Sequence, residues 1–92
     1  MWNPLLISLS REAAVAISAS TPPPRRALLV ALRRGATVGR HYQFWCTRPE
    51  AIALRVWLEG CAKVLSFWDP TTAEILTEAA LAIARAIAQG RE

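Results

Sequence analysis

The stretch HYQFWCTRPEAIAL, residues 41–54, decides how the chain is read. In its first half the side chains alternate as in a β-strand. Tyr42, Phe44 and Cys46 fall on one face, and His41, Gln43 and Trp45 on the other. Its second half opens on Thr47-Arg48-Pro49-Glu50, a capping box. The Thr47 oxygen accepts from a first-turn N–H while Glu50 reaches back to the cap backbone. Pro49 suits a first turn because it has no N–H to leave orphaned. A strand over 38–46 therefore runs through a cap into a helix over 48–66. The Tyr42, Phe44 and Cys46 face is expected to meet the core, which leaves the His41, Gln43 and Trp45 face for a partner.

Sliding the chain against itself by 37 residues lays LLISLSREAAVAI (5–17) on YQFWCTRPEAIAL (42–54) without a gap. Ser10 meets Thr47 and Arg11 meets Arg48. Both segments read as a strand, a hydroxyl cap and a helix. The first unit is predicted as a strand over 4–9 and a helix over 10–20.

Between the units lies TPPPRRALLVALRRGATVGR, residues 21–40. Three prolines make a stiff break. ALLVAL favours a helix over 24–34, since leucine and alanine suit one and Gly35 follows as a stop. A strand over 27–32 would instead form a hairpin with 38–46 and displace the 4–9 strand as its neighbour.

Downstream, Leu54, Trp57, Leu58, Cys61, Ala62 and Leu65 recur at three- and four-residue steps. Ile52 and Val56 lie on the other side, so the first half of this helix is apolar on two faces. SFWDPTTAE follows, with Asp69 as N-cap and Pro70 in the first turn of a helix over 70–89. Ile75, Leu76, Ala79, Ala80, Ile83, Ala86 and Ile87 form its apolar stripe. Phe67 and Trp68, at the junction, favour association as an aromatic pair, although closing the core is the first reading of both. The fold expected is a single small α+β domain spanning 1–92: two short strands (4–9 and 38–46), about four helices (10–20, 24–34, 48–66 and 70–89), and two strand–cap–helix units.

Composition narrows the function. The chain has 92 residues, 53% of them hydrophobic, and only 20% are charged. Mean hydropathy is +0.23. Such a surface needs either a large core or a partner to cover it, and a second copy is the simplest partner. The net charge of +4 rests on ten arginines and one lysine, a bias that points to a GC-rich, bacterial-type genome. Residues 25–55 carry seven arginines against Glu50, while 56–92 are mildly acidic. No apolar run reaches the ~20 residues of a membrane span. The N-terminus lacks the basic region of a signal peptide, so a cytoplasmic protein is expected.

Catalytic chemistry finds little to work with. The single histidine, His41, and Cys46 are five residues apart on a strand, hence on opposite faces. Cys46 and Cys61 match no zinc or redox spacing. No nucleotide, hydrolase or metalloprotease motif is present. No enzyme activity, cofactor, metal or small-molecule substrate is inferred.

The expected function is a non-enzymatic protein-interaction or regulatory module, acting as a homodimer or as a small subunit of a complex. Trp45, Ile52, Val56 and Trp68 are the interface candidates. The alternative is nucleic-acid binding, with Arg26, Arg33, Arg34 and Arg40 on phosphates and His41 and Gln43 toward the bases. The order strand–helix–helix over 41–89 resembles a ribbon-helix-helix regulator, in which two chains pair their strands in the major groove. SFWDP lacks that family's small-residue turn, the strand is more aromatic, and forty residues precede it.

Overall fold

The computed structural model describes residues 4–19, residue 30 and residues 33–89. They form β1 (Leu5–Ser10), α1 (Arg11–Ala19), β2 (Ala36–Val38), β3 (His41–Cys46), α2 (Arg48–Leu65) and α3 (Pro70–Gln89). The class is α+β, as expected, with a three-stranded antiparallel sheet in the order β1-β3-β2. β3 pairs antiparallel with both neighbours. β1 and β2 are therefore parallel to each other with β3 inserted between them, a split β-α-β arrangement.

Two expectations about the strands are corrected. The run 38–46 is not one strand but most of a hairpin, in which Val38 faces His41 across Gly39 and Arg40. Gly39 has φ +62, while among the described residues no non-glycine takes a positive φ, which fits a type II′ turn with glycine first. The sheet accordingly gains a third strand, β2, from residues that sequence periodicity was too short to show. Most of the helix expected over 24–34 lies outside the described residues. Val30 and Arg33 are helical, and the Arg34 N–H donates to the Val30 carbonyl at 3.2 Å.

Both cap motifs are built. Glu50 N–H donates to Thr47 Oγ1 at 3.3 Å, and Thr47 N–H donates to Glu50 Oε1 at 2.8 Å. Ala13 N–H donates to Ser10 Oγ at 3.1 Å in the simpler cap of α1. At the start of α3, Asp69 accepts from the Thr72 N–H at 3.2 Å and from the Thr72 hydroxyl at 2.7 Å. These bonds satisfy N–H groups that the helices cannot pair internally.

The core lies between one face of the sheet and the helices. Ile7, Leu9, Ile17, Phe44, Leu54, Leu58, Leu76 and Ile83 are its largest fully buried side chains. Each such aliphatic or aromatic side chain contributes roughly 1.5–3 kcal/mol by leaving water. Residues that the 37-residue offset equates take equivalent places: Ile7 and Phe44, Leu9 and Cys46, Ile17 and Leu54 are all buried. α3 is the central helix, packing along α2 and against β1 and α1. Buried Ala62 of α2, with Ala73, Ala79 and Ala80 of α3, gives these elements short side chains that permit close packing. Arg48 Nη1 donates to the Ile87 carbonyl at 3.5 Å, placing a cation where the α3 dipole is negative.

The molecule measures 42 × 24 × 23 Å. Helices of 18 and 20 residues rise about 27 and 30 Å, longer than six-residue strands of about 20 Å. No helix among the described residues is long and apolar enough to cross a membrane.

Candidate interaction surface

The outer surface of α2 follows from the register set by its cap. Thr47 starts the helix so that Ala51, Leu54, Leu58 and Ala62 turn inward and are buried. Ala53, Trp57 and Cys61 flank that face and are half-buried, while residues on the opposite side face out. Ile52, Val56, Gly60 and Val64 do so at every fourth position, and Trp68 continues the row past the helix end. Ile52 is 44% exposed, Val56 64%, Val64 53% and Trp68 68%. Four apolar side chains and a glycine thus form one ridge that winds about 40° round the axis at each four-residue step. Beside it, Arg55 Nε donates to Glu59 Oε1 at 2.8 Å, an exposed i,i+4 ion pair, and Lys63 is also exposed.

The row forms one wall of an open groove of about 1640 Å³. Val56, Gly60, Val64 and Trp68 stand on the α2 side, Val15 and Ala16 of α1 face them, and Ile75 and Thr72 of α3 lie between. Arg11, Arg40 and His41 lie at its margin with the acids Glu12, Asp69 and Glu78. Lone exposed apolar side chains are ordinary on folded proteins, whereas a contiguous set rimmed by charge is less common.

Phe67 and Trp68 do not close the core, contrary to the sequence-based expectation. Phe67 is 85% exposed. The Ser66 N–H donates to the Ala62 carbonyl at 2.9 Å and the Asp69 N–H to the Leu65 carbonyl at 2.7 Å. That tight turn leaves both rings on the outer side of the α2–α3 junction.

The sheet has a second open surface. Trp45, 58% exposed, sits opposite exposed Leu6, and His41 opposite Ser10. Half-buried Gln43 lies between them on the same face, while Phe44 and Cys46 point into the core. Arg40, in the turn before β3, is exposed, as are Arg33 and Arg34. Arg26 lies outside the described residues. The structure therefore separates the four interface candidates. Val56 and Trp68 share the groove, Ile52 extends the same helix row, and Trp45 belongs to the sheet face. Gly60 and Val64 were missed by sequence reasoning, although the four-residue step from Ile52 and Val56 leads directly to both.

The two thiols differ. Cys46 is buried beside the α2 start, and desolvation together with the nearby Glu50 charge pushes its pKa up to about 11. Cys61 is half-buried in the groove, and burial raises its pKa as well. Both effects disfavour the thiolate, the form that attacks or binds metal. Among the described residues no three His, Cys, Asp or Glu side chains gather as a metal site would require.

The fold is that of a small α+β domain with one open sheet face and one open helical groove. No protein-family model, curated protein or solved structure matches the chain. β3 is central in its sheet, with both edges already paired to β1 and β2. It therefore has no free edge to offer a second copy in the manner of a ribbon-helix-helix strand.

Proposed function

We propose that the chain is a non-enzymatic protein-interaction module whose contact surface is the outer row of α2 and the groove beside it. The observation that carries this reading is the exposed series Ile52, Val56, Gly60, Val64 and Trp68. An uncovered row of this length is costly in water, because each side chain leaves apolar area that a partner would bury at roughly 25 cal/mol per Å². The charged rim of Arg55, Glu59 and Lys63 would keep the free protein soluble and limit wrong docking.

The test compares the full chain with Val56→Asp and Val64→Asp. Both positions are exposed, so the variants keep the core intact. Proteins captured from the native host are identified, purified and titrated back. The reading expects specific binding that falls at least about tenfold in both variants. Binding that is equal for all three chains would remove the α2 row as the surface.

A second reading, nucleic-acid binding, is supported by the shared placement of His41, Gln43 and Trp45 on the open sheet face beside Arg40. An exposed aromatic such as Trp45 can stack a base while arginines elsewhere on the surface hold phosphates. Its test is binding to single-stranded DNA or RNA at two salt concentrations. Affinity that drops steeply with salt and falls in Trp45→Ala supports it, and no binding at low salt removes it.

A further inference from the structure

We infer that the occupant of the α2 surface is a second copy of this chain, joined by an antiparallel α2–α2 crossing centred on Gly60. The inference rests on the protein-interaction reading and names its partner.

Three observations lead to it. The first is the symmetry of the row itself. About Gly60 it reads valine four residues away on either side, Val56 and Val64, and a large apolar residue eight away, Ile52 and Trp68. A two-fold axis through Gly60 would bring each Val56 against the partner's Val64. An isologous contact requires that kind of self-complementary patch. Rows at four-residue steps are also the ridges that interdigitate when two helices cross at about −50°.

The second is the glycine. A glycine inside a helix costs about 0.8–1.0 kcal/mol relative to alanine. Its use is often explained by a neighbour that leaves no room for a side chain. Gly35 is such a case, since a Cβ there would lie 2.6 Å from the Tyr42 ring and 2.7 Å from the Gln43 carbonyl oxygen. At Gly60 a Cβ would meet nothing within 4 Å beyond the adjoining backbone of its own helix. The chain's own packing does not call for glycine there, whereas a second helix backbone crossing at that point would.

The third is area. Ile52, Val56, Val64, Phe67 and Trp68 are all exposed and leave on the order of 600 Å² uncovered, and the stem of Lys63 brings the face to about 700 Å². A standard interface buries about 800 Å² on each partner. The groove beside the row gives each copy a recess for the other's ridge, so one chain supplies both halves of the contact.

The experiment is site-directed cross-linking of the full chain in a Cys61→Ala background, where the remaining thiol, Cys46, is buried. A disulfide forms only when the two Cα atoms come within about 7 Å. Val56→Cys is expected to cross-link to Val64→Cys when the two are mixed, and not to itself, because the two copies of position 56 would lie about 12 Å apart along the axes. Gly60→Glu brings two like charges to the axis while improving helix propensity. It should stay folded by circular dichroism and raise the dimer dissociation constant about tenfold or more. A chain that remains monomeric across micromolar concentrations would overturn the inference. So would Val56→Cys cross-linking to itself. If a host protein is still captured in a Val56- and Val64-dependent way, the interaction reading survives that failure. If neither result appears, both fall together.

Discussion

Replacing Gly60 with alanine separates what the monomer needs from what its contact needs. Gly60 is an exposed interior residue of an 18-residue helix. The added methyl meets no atom within 4 Å beyond the adjoining backbone of its own helix, so no packing neighbour opposes it. What remains is backbone entropy, which favours alanine by about 0.8–1.0 kcal/mol. For a domain of this size a urea m value of about 1.5 kcal/mol/M converts that gain into a midpoint shift of about 0.6 M. The corresponding rise in Tm is about 4 °C or more. Urea unfolding followed by circular dichroism, at the lowest workable protein concentration, reads the effect with self-association minimised. The slope should be unchanged. At higher concentration the gain should shrink, because the methyl then enters the crossing point. A midpoint that stays put or falls at low concentration would refute the reasoning, since it would mean that the monomer itself requires glycine at this position.

Four other outcomes follow from the same geometry. Gly35→Ala should destabilise by about 1–3 kcal/mol, because its Cβ would press on the Tyr42 ring and the Gln43 carbonyl; a wild-type urea midpoint would contradict the packing seen there. Thr47→Ala removes the acceptor of the Glu50 N–H and should cost about 1 kcal/mol in the same assay. Asp69 holds its pKa below the usual carboxylate value through the Thr72 hydroxyl and N–H. Its contribution is therefore present above the ordinary carboxylate pKa and lost as pH falls through the lowered one, so acid unfolding of Asp69→Asn should show a shallower pH dependence. Burial and the Glu50 charge raise the Cys46 pKa from 9.0 to about 11, so its stabilisation holds below pH 9 and is lost as pH rises toward 11. Alkaline urea midpoints should decline less in Cys46→Ala, and a thiol reagent at pH 8 should label Cys61 in the folded chain and Cys46 only after unfolding.

Much of the fold was legible because it is written in local chemistry. The alternation of Tyr42, Phe44 and Cys46 against His41, Gln43 and Trp45 set the two sheet faces, and Thr47, Pro49 and Glu50 set the helix start. The stripe of α3 was equally plain, from Leu76 to Ile87. What escaped was shorter than a period or depended on tertiary placement. β2 has three residues, all exposed, so it shows no hydrophobic pattern. Only Gly39 between Val38 and Arg40 hinted at the turn. Phe67 and Trp68 looked like core residues by type, yet their burial depended on whether another element covers the α2–α3 junction, which neither side chain encodes. The candidate surface was half visible. Ile52 and Val56 stood out as apolar residues on the wrong face, but Gly60 acquires meaning only once the space around it is known.

Sedimentation velocity of the unmodified full chain, over a dilution series through the micromolar range, reads the α2 contact itself. The α2 contact predicts reversible monomer–dimer exchange that shifts toward monomer on dilution and is shifted further by Gly60→Glu. A single monomeric species at every concentration, or a dimer that Gly60→Glu leaves untouched, would contradict it.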